Sequence, residues 1–305
     1  MPLCGCAQSY RDIAENKSFL PMSASPYDGK CIVLTTKHAK ACAAAPAFDR
    51  ILGAGVIEYH FDTDTLGTFS GEIEREGTAL DAARKKVRLA ISNLDAPFVL
   101  ASEGSFGPHP EIGFIPANHE LLHFVDRERD FALTVTMMTT ETNYRMAEVG
   151  SIEELHDFAA TTRFPTHGLI LSALPRGPQC RILKGITGWE DLDEAFHLLR
   201  SQSRNEGVWV ETDMRANFNP TRMTVIGRLA EKLARQLSTP CPSCGTPGWG
   251  DIGCVEGLEC GWCGKPTRQI KSLVQGCPKC DYRQTVGRPD GLQRSDPAHC
   301  PNCNP

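Results

Sequence analysis

The chain lacks any apolar run approaching the ~20 residues that a membrane-spanning helix needs, which argues against a membrane-embedded protein. It also lacks a basic excess. With 32 Lys and Arg against 37 Asp and Glu, the net charge of -5 argues against a whole-molecule grip on nucleic acid through phosphates, although a local basic patch remains compatible with it. The opening MPLCGCAQSYRDIAENK has neither a basic start nor an apolar segment, so a secretory signal and a secreted disulfide framework are not expected. A reducing, cytoplasmic setting and a soluble protein are the expectation.

Cysteine, by contrast, is abundant and placed with a strong bias. Eight of the 14 cysteines form four CxxC pairs in the last 65 residues: Cys241/Cys244, Cys260/Cys263, Cys277/Cys280 and Cys300/Cys303. That spacing suits paired thiolates on one tetrahedral ion, and four pairs make two Cys4 sites, each with no position left for water. Two structural zinc ions are therefore expected, in a tail too short and polar to fold without metal. Sequential pairing of the knuckles, first with second and third with fourth, is the first expectation; an interleaved arrangement, first with third and second with fourth, has compatible spacing. Gly245 and Gly264 suit the tight turn after a knuckle, and Cys254 is left outside the pairs. Trp249, Trp262 and Tyr282, together with Lys265, Arg268, Lys271, Lys279, Arg283, Arg288 and Arg294, raise contact with nucleic acid or another protein through the ribbons.

Upstream, hydrophobic periodicity divides the chain into a leader (1–28), an α/β domain with a mixed sheet (29–238) and the double zinc-ribbon domain (239–305). KCIVLTT and VIEYHFD read as strands around an Ala-rich helix that Pro46 should kink or restart. TALDAARKKVRLAISNL is an amphipathic helix with Thr78 as its N-cap, and PFVLAS is an apolar strand. Further strands and helices follow, closed by TRMTVIGRLAEKLARQL running into the first knuckle. Alternation of this kind points to α/β layers.

Three strand ends carry polar groups that suit phosphate or metal chemistry. TTKHAK offers Thr36 and Lys40 beside a helix N-terminus, where anions bind. Asp62, Asp64 and Glu72 follow the second strand, and Glu103 with His109 follows the third. Carboxylates gathered in one cleft would suit Mg²⁺, with Glu72, Glu103 or His109 as the catalytic groups. Arg215 and Arg222, in ETDMRANFNPTRM, would hold phosphate from the far wall.

Residues 31 to 105 resemble the inosine triphosphate pyrophosphatase superfamily. Thr36 and Lys40 match the ends of its first motif, Thr78 and Lys86 its second, and Glu103 the acidic residue that ends its next strand, with His38 and Ala82 standing where the family has asparagine. The resemblance implies Mg²⁺-dependent hydrolysis of a nucleoside triphosphate. GTFSGE, ASEGSFGPHP, ETDMRANFNPTRM and the terminal CxxC array also resemble an uncharacterised bacterial family, which brings no activity with it. Two functions follow as expectations. One is a Mg²⁺-dependent phosphohydrolase acting on a nucleotide or related phosphate ester; the other is a non-catalytic nucleotide sensor whose ribbons contact nucleic acid or protein.

Overall fold

A computed structural model describes residues 25–59, 77–177, 180–203 and 207–305. In chain order the elements are β1 (Cys31–Thr35), α1 (Ala41–Leu52), β2 (Gly55–Tyr59), α2 (Ala79–Leu94), β3 (Phe98–Pro108), β4 (Pro116–Asp126), β5 (Phe131–Thr139) and β6 (Met146–Val149). They continue with α3 (Ile152–Thr161), β7 (Leu169–Ala173), β8 (Ile182–Ile186), α4 (Trp189–Gln202), β9 (Val208–Thr212), α5 (Pro220–Leu237), β10 (Gly250–Glu256), β11 (Ile270–Gly276) and β12 (Arg283–Gly287).

The fold is mixed α/β, and among the described residues the strands divide among three sheets. The first has the order β2-β1-β3-β4-β5, with β1 parallel to both β2 and β3 and the other pairs antiparallel. Alternation along its strands sends Leu34, Leu100 and Leu122 to one face, under Phe48 of α1 and Leu229 and Leu233 of α5. Val33, Val99 and Leu121 point the other way, against Ala83 and Val87 of α2. The helix that follows β1 and the helix that precedes β3 thus lie on opposite faces.

The second α/β stretch does not extend this sheet. It forms an antiparallel sheet of its own, β6-β9-β7-β8, whose Leu169, Leu171, Val208 and Val210 pack against α3 and α4. The third sheet, β10-β11-β12, links the cysteine knuckles.

Local signals account for most helix ends. Thr78 caps α2 as expected: its Oγ1 accepts from the Asp81 N–H, and Asp81 Oδ2 accepts from the Thr78 N–H, a reciprocal pair that satisfies two orphan donors. Asn219 caps α5, with Pro220 at the first helical position. Of the two expectations for Pro46, the restart does not occur: α1 runs through it from Ala41 to Leu52. Losing one backbone hydrogen bond near the helix start is offset by the burial of Ala44, Ala47 and Phe48. No helix among the described residues is long and apolar enough to cross a membrane.

Candidate functional site

The carboxyl ends of parallel β1 and β3 flank the point where the chain changes direction across the first sheet. In open α/β sheets ligands gather at such a switch point, outside the strand ends. β1 stops at Thr35, opposite Ala101, whereas β3 continues through Ser102, Glu103 and Gly104. Beyond Ala101 the side of β3 that faced β1 therefore loses its strand partner. Lys40, just before α1, fills that place: its Nζ donates to the Ser102 carbonyl and hydroxyl, both at 3.2 Å. Both acceptors are neutral. Burial, reinforced by the nearby charges of Arg222 and Lys86, lowers the Lys40 pKa to about 7, with Glu120 and Glu103 opposing the shift in part.

Side chains from both faces of the sheet converge on this edge. Lys86 of α2 forms a buried ion pair with Glu103. On the α1/α5 face, Glu120 of β4 receives Arg222 in fork geometry, Nε to Oε1 at 2.6 Å and Nη2 to Oε2 at 3.3 Å, while Nη1 donates to the Met214 carbonyl. Gly104 sits opposite Glu120, and a Cβ there would lie 2.5 Å from Arg222 Nη2 and 2.6 Å from Glu120 Oε1. Only glycine allows the guanidinium to come this close. Among the described residues the edge thus holds three cationic side chains and two carboxylates, with Thr36 buried beside them. The Thr36 hydroxyl accepts from the His38 N–H, and the Thr36 N–H donates to the Tyr59 carbonyl.

Lys40, Glu103 and Arg222, singled out in the sequence, are therefore drawn into one cluster. His109 is not. It lies in the connection of the β3–β4 hairpin, where its Nδ1 accepts from the Glu111 and Ile112 N–H groups, so its geometry is that of a turn former. Arg215 is engaged by Asp213, with Nη2 to Oδ2 at 2.6 Å, and stacks its guanidinium 4.5 Å from the Phe218 ring centroid. Asp62, Asp64 and Glu72 lie outside the described residues. Glu120 and Ser102 were missed by sequence reasoning. A signal for Glu120 did exist, since alternation in ELLHFVD puts it in line with Leu122 and Phe124, the face that packs the core.

The cysteine geometry is more specific. Cys241, Cys244, Cys277 and Cys280 gather in one group and Cys260, Cys263, Cys300 and Cys303 in a second, all sulfurs of a group within 4.8 Å of one another. The shortest approaches across each group are 3.8 Å and 3.6 Å in the first and 3.9 Å and 3.7 Å in the second. Four thiolates bonded tetrahedrally to zinc at ~2.3 Å would stand about 3.8 Å apart, so both groups fit the ion. Backbone N–H groups of Lys279 and Cys280 point at Cys277 Sγ and that of Trp262 at Cys260 Sγ, the usual support for thiolate charge. Gly245 and Gly264 have φ of 72° and 70° behind their knuckles, as expected. The pairing corrects the sequential expectation. First joins third and second joins fourth, because antiparallel β10 and β11 carry the intervening chain between the two ends of the module and back.

A model for a domain of unknown function, DUF6671, matches residues 86–305, which takes in Lys86, Glu103, Glu120, Arg222 and all eight knuckle cysteines. The chain belongs to the DUF6671 family. No curated protein matches it. The family match runs from within α2 to the terminal knuckle, so Glu103, Glu120, Arg222 and both Cys4 groups fall within it, whereas Lys40 and Thr36 precede it.

The two Cys4 groups are mounted differently. The first rests on the α/β body: Gln236 near the end of α5 donates to the Gly248 carbonyl, Lys279 Nζ donates to the Arg129 carbonyl at 2.7 Å, and Trp249 is buried. The second is carried on the β10-β11-β12 sheet and presents Trp262 with 81% of its surface exposed.

Proposed function

We propose that the β1/β3 edge binds the phosphate of a nucleotide or related ester, and that the protein hydrolyses it with Mg²⁺ while two zinc ions hold the ribbons. The observation that carries this reading is Lys40, an ammonium buried at a switch point against the neutral oxygens of Ser102. A lysine placed where anions collect, with Lys86 and Arg222 close enough to lower its pKa, gains from an incoming phosphate the anionic acceptor that its hydrogen bonds to Ser102 do not supply. The resemblance of residues 31 to 105 to a nucleotide pyrophosphatase superfamily points the same way. In this reading the sequence-predicted Asp62, Asp64 and Glu72 would take Mg²⁺ together with Glu103, which Lys86 also holds.

Titrating nucleoside triphosphates and inorganic pyrophosphate into the zinc-loaded chain with Mg²⁺, while assaying released phosphate and pyrophosphate, tests it. Binding and turnover are expected, both lost in Lys40→Met. Binding without release would leave the nucleotide-sensing alternative; a folded protein that binds none of these would overturn the reading.

For the ribbons, the observation favours a protein partner over nucleic acid. Residues 239–305 hold seven Lys and Arg against six Asp and Glu. Each zinc tetrathiolate adds about two negative charges, so the metal-loaded module is net acidic. The exposed Trp262 then reads as an anchor for a protein surface.

A further inference from the structure

A cavity of about 100 Å³ opens between the first and second sheets, lined by Phe106, Tyr144, Met146, Glu211, Thr212 and Met214 among others. Its walls suit a flat group: the Phe106 and Tyr144 rings stack with centroids 5.9 Å apart and planes at 29°, and two methionines supply adaptable thioethers. Glu211 Oε2 accepts from the Trp209 indole N–H at 3.2 Å and faces Arg176 at 3.6 Å. Among the described residues, Glu211 Oε1 and the Tyr144 hydroxyl carry no hydrogen bond. Both residues line the cavity; burial raises the pKa of both groups, and the charge of Glu211 adds to the rise at Tyr144. Opposite Phe106, on β4, Asn118 is buried with neither amide atom partnered among the described residues.

An acceptor and a donor thus line one small cavity beside an aromatic wall, each with capacity to spare. We propose that this cavity binds a neutral nitrogen heterocycle, one N–H of which donates to Glu211 while a ring nitrogen or carbonyl accepts from the Tyr144 hydroxyl. A cationic guest is disfavoured, because the Arg222 guanidinium already lies 5.2 Å from the Phe106 centroid and Arg176 flanks Glu211. Ser102, the partner of Lys40, and Phe106, the wall of the cavity, share one face of β3 four residues apart, about 13 Å along the strand. A phosphorylated heterocycle of nucleotide size therefore spans the distance from one to the other. This last step rests on the anion site proposed above; the ring site does not.

Calorimetric titration of the full zinc-loaded chain with adenosine, uridine and inorganic pyrophosphate separates the two halves. At least one nucleoside is expected to bind, with Tyr144→Phe weakening it by about 2- to 10-fold, the effect of one lost hydrogen bond, and leaving pyrophosphate affinity unchanged. Lys40→Met should do the reverse. Glu211→Gln, which keeps the volume but replaces one acceptor oxygen by a donor, gives a second reading and should change the order of preference between the two nucleosides. Pyrophosphate binding without nucleoside binding, or nucleoside affinity indifferent to both Tyr144→Phe and Glu211→Gln, would overturn the ring site and leave the anion site standing. Nucleoside binding without pyrophosphate binding would sustain the ring site and remove the anion site, and binding of neither would remove both.

Discussion

Lys40 shows how one residue ties stability to pH. Its folded pKa, about 7, is well below the ordinary 10.5, with burial as the main cause and the Arg222 and Lys86 charges next. Below pH 7 the lysine is protonated whether the chain is folded or not, and the folded state bears the whole cost of the buried charge. Between pH 7 and 10.5 the unfolded chain binds the extra proton, so the cost is relieved as pH rises through that window. Lys40→Met should therefore be more stable than the parent at acid pH, and its advantage should shrink by on the order of 1 kcal/mol per pH unit above neutrality. Urea unfolding of both proteins across that range checks this; parallel stability curves would show that Lys40 does not titrate there. Glu103 was legible in the sequence as an odd charge beside an apolar strand, but its buried partner Lys86 was not assigned to it. Charge partners depend on which helix face covers which strand, and a strand's own pattern carries no such information. A change at Glu103 consequently strands a buried ammonium, at a cost of about 3–5 kcal/mol, before it touches any chemistry.

At the scale of elements, strand β3 and the cysteine knuckles mark the limits of what the sequence tells. PFVLAS reads as a strand and the glycines of EGSFGP read as a loop, yet β3 runs on to Pro108 because β4 pairs with it over its whole length. Tertiary pairing overrides local propensity there. The helices were easier, since caps such as Thr78 act within one turn. The four CxxC pairs were legible as metal knuckles from spacing alone, whereas their partners are set by the path of β10 and β11, which spacing does not encode. A chain ending before Cys277 retains the first two knuckles intact. Sequential pairing would leave it one complete site; the interleaved arrangement leaves it none, so elemental analysis should find no tightly held zinc, against two ions in the full chain.

Across the whole molecule, the two Cys4 groups should differ in what their loss does. The first is keyed to α5 through Gln236 and to the β4–β5 turn through Lys279, while the second stands on its own sheet. Cys241→Ser is expected to lower the melting temperature of the α/β body, and Cys300→Ser to leave that transition in place while one zinc ion is lost. Scanning calorimetry with metal analysis on both variants measures the difference; equal effects on the main transition would mean that the second site also braces the body. Interleaving also gives the chain an order of completion. As synthesis proceeds from the amino end, the first site cannot close until Cys280 has emerged and the second not until Cys303. Cys260 and Cys263 must wait for Cys300 and Cys303, so a product stopped between the two pairs leaves the ribosome with open thiolates and is chemically distinguishable from one that has closed both sites.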